Sequence, residues 1–154
     1  MYAVSVLLSM VLLPILSIGI ERYVLHSPAP PMLLVGKWFV FWSAGIRLSG
    51  AGLRQFFQPR FTVEEIFGMR SEDSLPFVRE LGIANFATGT VGVLSIVQSS
   101  FILPVAIIAA LFFGIAGIRH LTDKHRGQKQ NLAMATGLFV SLVFIGYIAY
   151  VAIV

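Results

Sequence analysis

The chain has 154 residues, of which 57% are hydrophobic and only 12% charged, with a mean hydropathy of +0.88. Soluble domains carry roughly 25% charged residues, so this composition excludes an ordinary water-soluble fold and leaves room for one domain of four or five membrane spans. The net charge of +4 is scattered over span ends and not gathered on one face, which excludes a nucleic-acid footprint; the absence of cysteine excludes disulfides, thiol redox chemistry and iron-sulfur ligation.

The apolar run 2–20 is long enough to cross a hydrocarbon core of about 30 Å at 1.5 Å per residue. No Lys or Arg precedes it, and Glu21-Arg22-Tyr23 lacks a small-x-small cleavage pattern, so it reads as a retained span and not as a signal peptide. Pro14 is expected to kink it. Pro28, Pro30 and Pro31 make 26–31 a stiff extended connection, on which His26 is expected to be solvated.

The second span is expected over 35–57, with Lys37, Trp38 and Arg54 anchoring its ends. Arg47 lies inside it. On a wheel of about 100° per residue, Ser43, Gly50, Ala51 and Arg54 all fall within about 60° of Arg47, so one face is small and polar and belongs inside a bundle. The polar segment 58–75 follows. Thr62 and Glu65 form a capping box and Phe61 with Ile66 a hydrophobic staple, predicting a short helix over 63–68 that stops at Gly68. Its apolar side suits the membrane surface, and a solvated loop helix is the alternative.

The third span, 75–97, opens with Ser74 and Pro76 as start signals and carries Arg79, Glu80 and Asn85. Gly82, Asn85, Gly89 and Gly92 recur at steps of three and four, a small row that lets another helix approach closely. Gln98-Ser99-Ser100 turns the chain into the fourth span, 101–121, where Gly114, Gly117 and His120 share a face. The link 122–130 holds Asp123, Lys124, His125, Arg126 and Lys129, and the last span, 131–154, has no charge. The expected fold is therefore all-α: a single transmembrane bundle of five helices plus a short interfacial helix.

With five spans, one surface holds Arg22 and Lys37, and the other holds Arg54, Arg60, Arg70, Arg79, Arg119, Lys124, Arg126 and Lys129. Cytoplasmic connections carry the Lys and Arg excess, which places the N-terminus inside the cell membrane and the C-terminus outside.

Three blocks, Gly45 to Gln55, Pro59 to Gly68 and Arg79 to Asn85, resemble in order an uncharacterised family of small prokaryotic membrane proteins, a domain of unknown function, over 37–120. More distantly, the Gly and Ala residues of the second span and Glu80-Leu81-Gly82 resemble DoxX-type four-helix proteins, some of which belong to quinone-linked redox complexes. That resemblance would imply a quinone-linked reaction as one version of a membrane enzyme.

No phosphate loop, nucleophile elbow, dinucleotide fingerprint or zinc-spaced Cys/His set is present. His120, Asp123 and His125 are close in sequence but leave a helix end in different directions, so no metal is assigned, and no cofactor is identified. Arg47, Glu80, Asn85, His120 and Arg54 form the candidate polar cluster. Three functions fit it: a bundle with a cytoplasmic-side cavity for a small or lipid-like ligand; a structural or accessory subunit, with a membrane-protein partner or a second copy; or an enzyme using Glu80 and His120 as acid and base on a lipophilic substrate. The nearest acid to Arg47 on its side of the membrane is Glu80. The expectation is that the second and third spans meet with Arg47 bonded to Glu80, to Asn85, or to both; the alternative has Arg47 reaching the boundary alone or meeting a lipid headgroup.

Overall fold

The computed structural model describes residues 2–69, 72–123 and 127–154. Among the described residues the regular structure is entirely helical, with no strand and, besides the six helices named next, two single 3₁₀ turns, Glu72–Ser74 and Ser99–Phe101. Six helices follow in order: α1 (Tyr2–Val24), α2 (31–57), the short α3 (59–66), α4 (Leu75–Leu94), α5 (Ile102–Thr122) and α6 (Gln128–Ile153). All but α3 run alternately up and down. One end of the bundle gathers the starts of α1, α4 and α6, the ends of α2 and α5, and α3. The opposite end holds the link between α1 and α2 and the turn between α4 and α5.

Sequence explains the local breaks. Pro14 cannot donate a hydrogen bond, and the helix widens just before it: Leu8–Leu12 is a π-helical stretch in which Leu13 N–H bonds five residues back to the Leu8 carbonyl. His26 has φ +52° and ends α1, and Pro31 takes the first position of α2, where its missing N–H is tolerated. The second helix thus begins four residues before the expected 35. A second π stretch, Val40–Ile46, lies mid-way along α2, and the Arg47 N–H closes it on the Trp42 carbonyl.

The short helix departs from its expected start. Gln58 breaks α2 with φ −131° and Pro59 opens α3, so Thr62 is already helical and buried and cannot cap. Proline's preset φ overrides the capping box. Gly68 is the expected stop: its φ of +65° is left-handed, a conformation glycine adopts without strain. Phe61 packs on Tyr2, and the Arg54 guanidinium and Lys129 ammonium lie 4.8 and 5.3 Å from the centre of its ring. These contacts hold α3 against the bundle end.

The apolar core comes from α1, α2, α5 and α6, with Val6, Val40, Ala44, Ala106, Val140 and Phe144 fully enclosed. Helix α4 contributes nothing to that cluster. It joins the bundle backbone to backbone: Gly92 meets Gly45, Gly89 meets Ser49, and Gly82 meets Gly52. The small row read from the sequence is the contact itself. At the opposite end, the Glu21 carboxylate accepts two bonds from Lys37 Nζ, at 2.7 and 2.9 Å, and one from Trp38 Nε1 at 2.7 Å, tying α1 to α2.

Length and composition make α1, the segment Ser99–Thr122 and α6 long and apolar enough to cross a membrane. Helices α2 and α4 do not reach that mark. Lys37, Arg47 and Arg54 interrupt the first, and Arg79, Glu80 and Asn85 the second.

Candidate functional site

A cavity of about 830 Å³ opens between α1, α2, α5 and α6 beneath α3. Its polar side chains include Arg47, Arg54 and Gln55 from α2, Asn85 from α4, and Arg119 and His120 from α5; its apolar wall includes Met10, Leu48, Phe112 and Phe113. Four of the five residues expected to form a polar cluster therefore share this space.

Arg47 reaches the cavity because of its register. It is two residues from both Gly45 and Ser49, or about 200° on the helix wheel, so with those two against α4 it points the other way. Its guanidinium carbon is 5.7 Å from the centre of the Tyr2 ring. Its Nε is fully buried and has no hydrogen-bond partner, and no acid pairs with the guanidinium among the described residues. A buried donor left unmatched costs about 1–3 kcal/mol, and more when it is charged.

Glu80 is the exception. It lies on the exposed side of α4, outside the cavity lining, and no ion pair joins it to Arg47. The reason is angular: the buried row of α4 is Val78, Gly82, Asn85, Gly89 and Gly92, and Glu80 stands about 200° from Gly82 and about 140° from Asn85. Helices α2 and α4 do meet, but the acid is turned away. The second candidate, Asn85, is buried and donates from Nδ2 to Gln55 Oε1 at 2.8 Å. Glu80 and His120 consequently do not face each other as an acid/base pair.

The wall from α5 and α6 rests on Gln130, which the sequence placed in a polar link. This side chain is 4% exposed; its Nε2 is 2.9 Å from His120 Nδ1 and donates to Asp123 Oδ2 at 2.8 Å. Gly114, Gly117 and His120 share a face, as their spacing implied, and that face is turned toward α6. Among the described residues no group of three His, Cys, Asp or Glu is placed to hold a metal; His125, named with His120 and Asp123 as a possible set, lies outside them. Tyr2 and Gln130 were missed as site residues. Gln130 is one of two glutamines among five ionisable link residues, and nothing local distinguishes it from Gln128.

Fold and site together define an all-helical protein with candidate membrane helices and a basic, partly apolar cavity at one end of its bundle. The chain belongs to a family of unknown function, DUF6790, whose profile matches residues 1–154. No curated protein and no solved structure matches it.

Proposed function

We propose that this is a five-span membrane protein whose cavity binds a small lipid-like molecule on the cytoplasmic side. The observation that carries the reading is the cavity of about 830 Å³, within the roughly 300–1,000 Å³ of small-molecule sites, with an unmatched Arg47 nitrogen in a mostly apolar enclosure. Intramembrane ionisable groups suggest function by default. The distant DoxX likeness adds quinones to the molecules worth seeking.

Five spans are supported by the up-down order of the long helices and by the outward side chains. Leu111, Ile115 and Ile118 on α5, and Leu142 and Ile145 on α6, are each more than half exposed, an apolar surface suited to lipid. Helices α2 and α4 span with them, their polar groups turned inward or placed near the boundary. The basic end faces the cytoplasm, with the N-terminus inside and the C-terminus outside. An alkaline phosphatase fused after Val154 is expected to be active; an inactive enzyme there, with a fluorescent cytoplasmic reporter active at the same site, would reverse the orientation.

Native mass spectrometry of gently purified protein tests the binding. The wild type is expected to carry one lipophilic molecule, and Ala116→Trp, which fills the cavity, is expected to lose it. A bare protein mass, or an adduct undiminished in Ala116→Trp, would remove the binding reading and leave a structural or accessory role.

A further inference from the structure

The cavity's chemistry also says which lipophile fits. Resting on the cavity-binding reading above, we infer that the ligand is a single-chain anionic amphiphile, its carboxylate or phosphate held by Arg47 and Arg54 and its chain lying along Met10, Phe112 and Phe113.

Charge comes first. Arg47, Arg54 and Arg119 line the space, and the acid among the lining residues, Asp123, is already bonded by Gln130. The cavity is therefore left with an excess of positive charge. A guanidinium is a planar fork of five donors that matches carboxylate and phosphate oxygens, and it stays protonated in an apolar setting. Arg47 lines the cavity and meets the face of Tyr2, and among the described residues no acid pairs with its guanidinium, so its charge is left for an occupant to balance. A neutral carbonyl could accept a hydrogen bond from the guanidinium but would leave its charge unbalanced, and a cation would be repelled. Arg54, seven residues nearer the bundle end, is exposed beside Phe61, at the mouth through which an anionic head would enter.

Size comes second. A cavity of about 830 Å³ lies within the roughly 300–1,000 Å³ of sites that hold one small molecule. That is in keeping with one long chain and a compact head. The apolar wall supplies the chain's surroundings, with Met10 and Phe113 both buried in the core. Methionine's flexible thioether suits chains of differing length and unsaturation.

The test uses the full chain in a neutral detergent with three probes: oleate, methyl oleate and oleoyl lysophosphatidate, each titrated and read by native mass spectrometry. Either anionic probe is expected to bind at least about tenfold more tightly than the ester, and which of the two binds better decides between a carboxylate and a phosphate head. Arg47→Gln is expected to weaken the anion by about ten- to a hundredfold, the range for a charge-assisted hydrogen bond, while leaving the ester unchanged. Arg47→Lys should recover part of the loss. Where Arg47→Gln is not monodisperse, Arg54→Gln is expected to weaken the anion in the same sense. Equal binding of acid and ester, or anion binding indifferent to both substitutions, overturns the anionic assignment while leaving the cavity a binding site. No binding of any of the three overturns the cavity reading as well.

Discussion

Replacing Gly52 by alanine is expected to destabilise the protein by about 3 kcal/mol, the upper end of the range for forcing extra atoms into a packed interior. A methyl group on Gly52 would stand 2.6 Å from both the Gly82 carbonyl oxygen and the Phe86 nitrogen, and those backbone atoms cannot rotate aside. Gly45 is constrained in the same way, its added carbon falling 2.8 Å from the Val93 nitrogen. Because α4 adds no side chain to the main apolar cluster, the loss of this contact should release the whole helix and with it Asn85, a cavity residue. Gly50 provides the control, since a Cβ there meets nothing within 4 Å. Gly50→Ala is expected to be neutral or to stabilise by up to about 1 kcal/mol, through the better helix propensity of alanine. Thermal unfolding in detergent checks both. Equal melting temperatures for Gly52→Ala and Gly50→Ala would mean that α2 and α4 are not in backbone contact.

The second large effect is expected at Glu21. Its carboxylate takes three hydrogen bonds from Lys37 and Trp38, and its side chain is 14% exposed against 30% for Lys37. Removing one partner of a fully buried pair costs about 3–5 kcal/mol, because the other charge is left stranded. The partial exposure of Lys37 lowers the expectation for Glu21→Leu to about 2 kcal/mol. Lys37→Met removes the stranded ammonium, so the double variant should lose less than the two single losses combined. Strict additivity, measured by the same unfolding assay, would show that the pair contributes no coupling.

That pair also shows what the sequence could and could not reveal. A charge within a membrane helix seeks a partner, and Lys37 lies on the same sparsely charged surface as Arg22, the neighbour of Glu21. Depth alone pairs Arg47 with Glu80. The helix wheel separates Glu80 from the Gly82 and Asn85 row by well over a right angle, so its exclusion from the interface was legible in the residues. The glycine steps of α4 were readable because a close helix contact demands small residues in a row. So was the small polar face around Arg47, most of which now lines the cavity.

Other features lay beyond periodicity. The π-helical stretch Val40–Ile46 adds a residue to the turn before Arg47, and no local composition marks it. Gln130 became a buried hub only through the pairing of α5 with α6, a tertiary fact. The beginning of α3 was contested between a proline at its first position and a capping box three residues later, two local signals of similar strength. Tyr2 looked like the first residue of an apolar run. Only the return of α2 to the same bundle end sets its ring beside Arg47.

In the proposed function the cavity, and not the outer surface, receives a lipid-like molecule. Photolabelling tests this directly: protein in a bilayer is exposed to a long-chain alkyl probe carrying a mid-chain diazirine, and the adducts are mapped by peptide mass spectrometry. Saturable labelling is expected at Met10, Phe112 and Phe113, abolished in Ala116→Trp, above a non-saturable background at outward residues such as Ile115 and Leu142. Labelling confined to Ile115, Leu142 and their outward neighbours, with the cavity wall untouched, would contradict it.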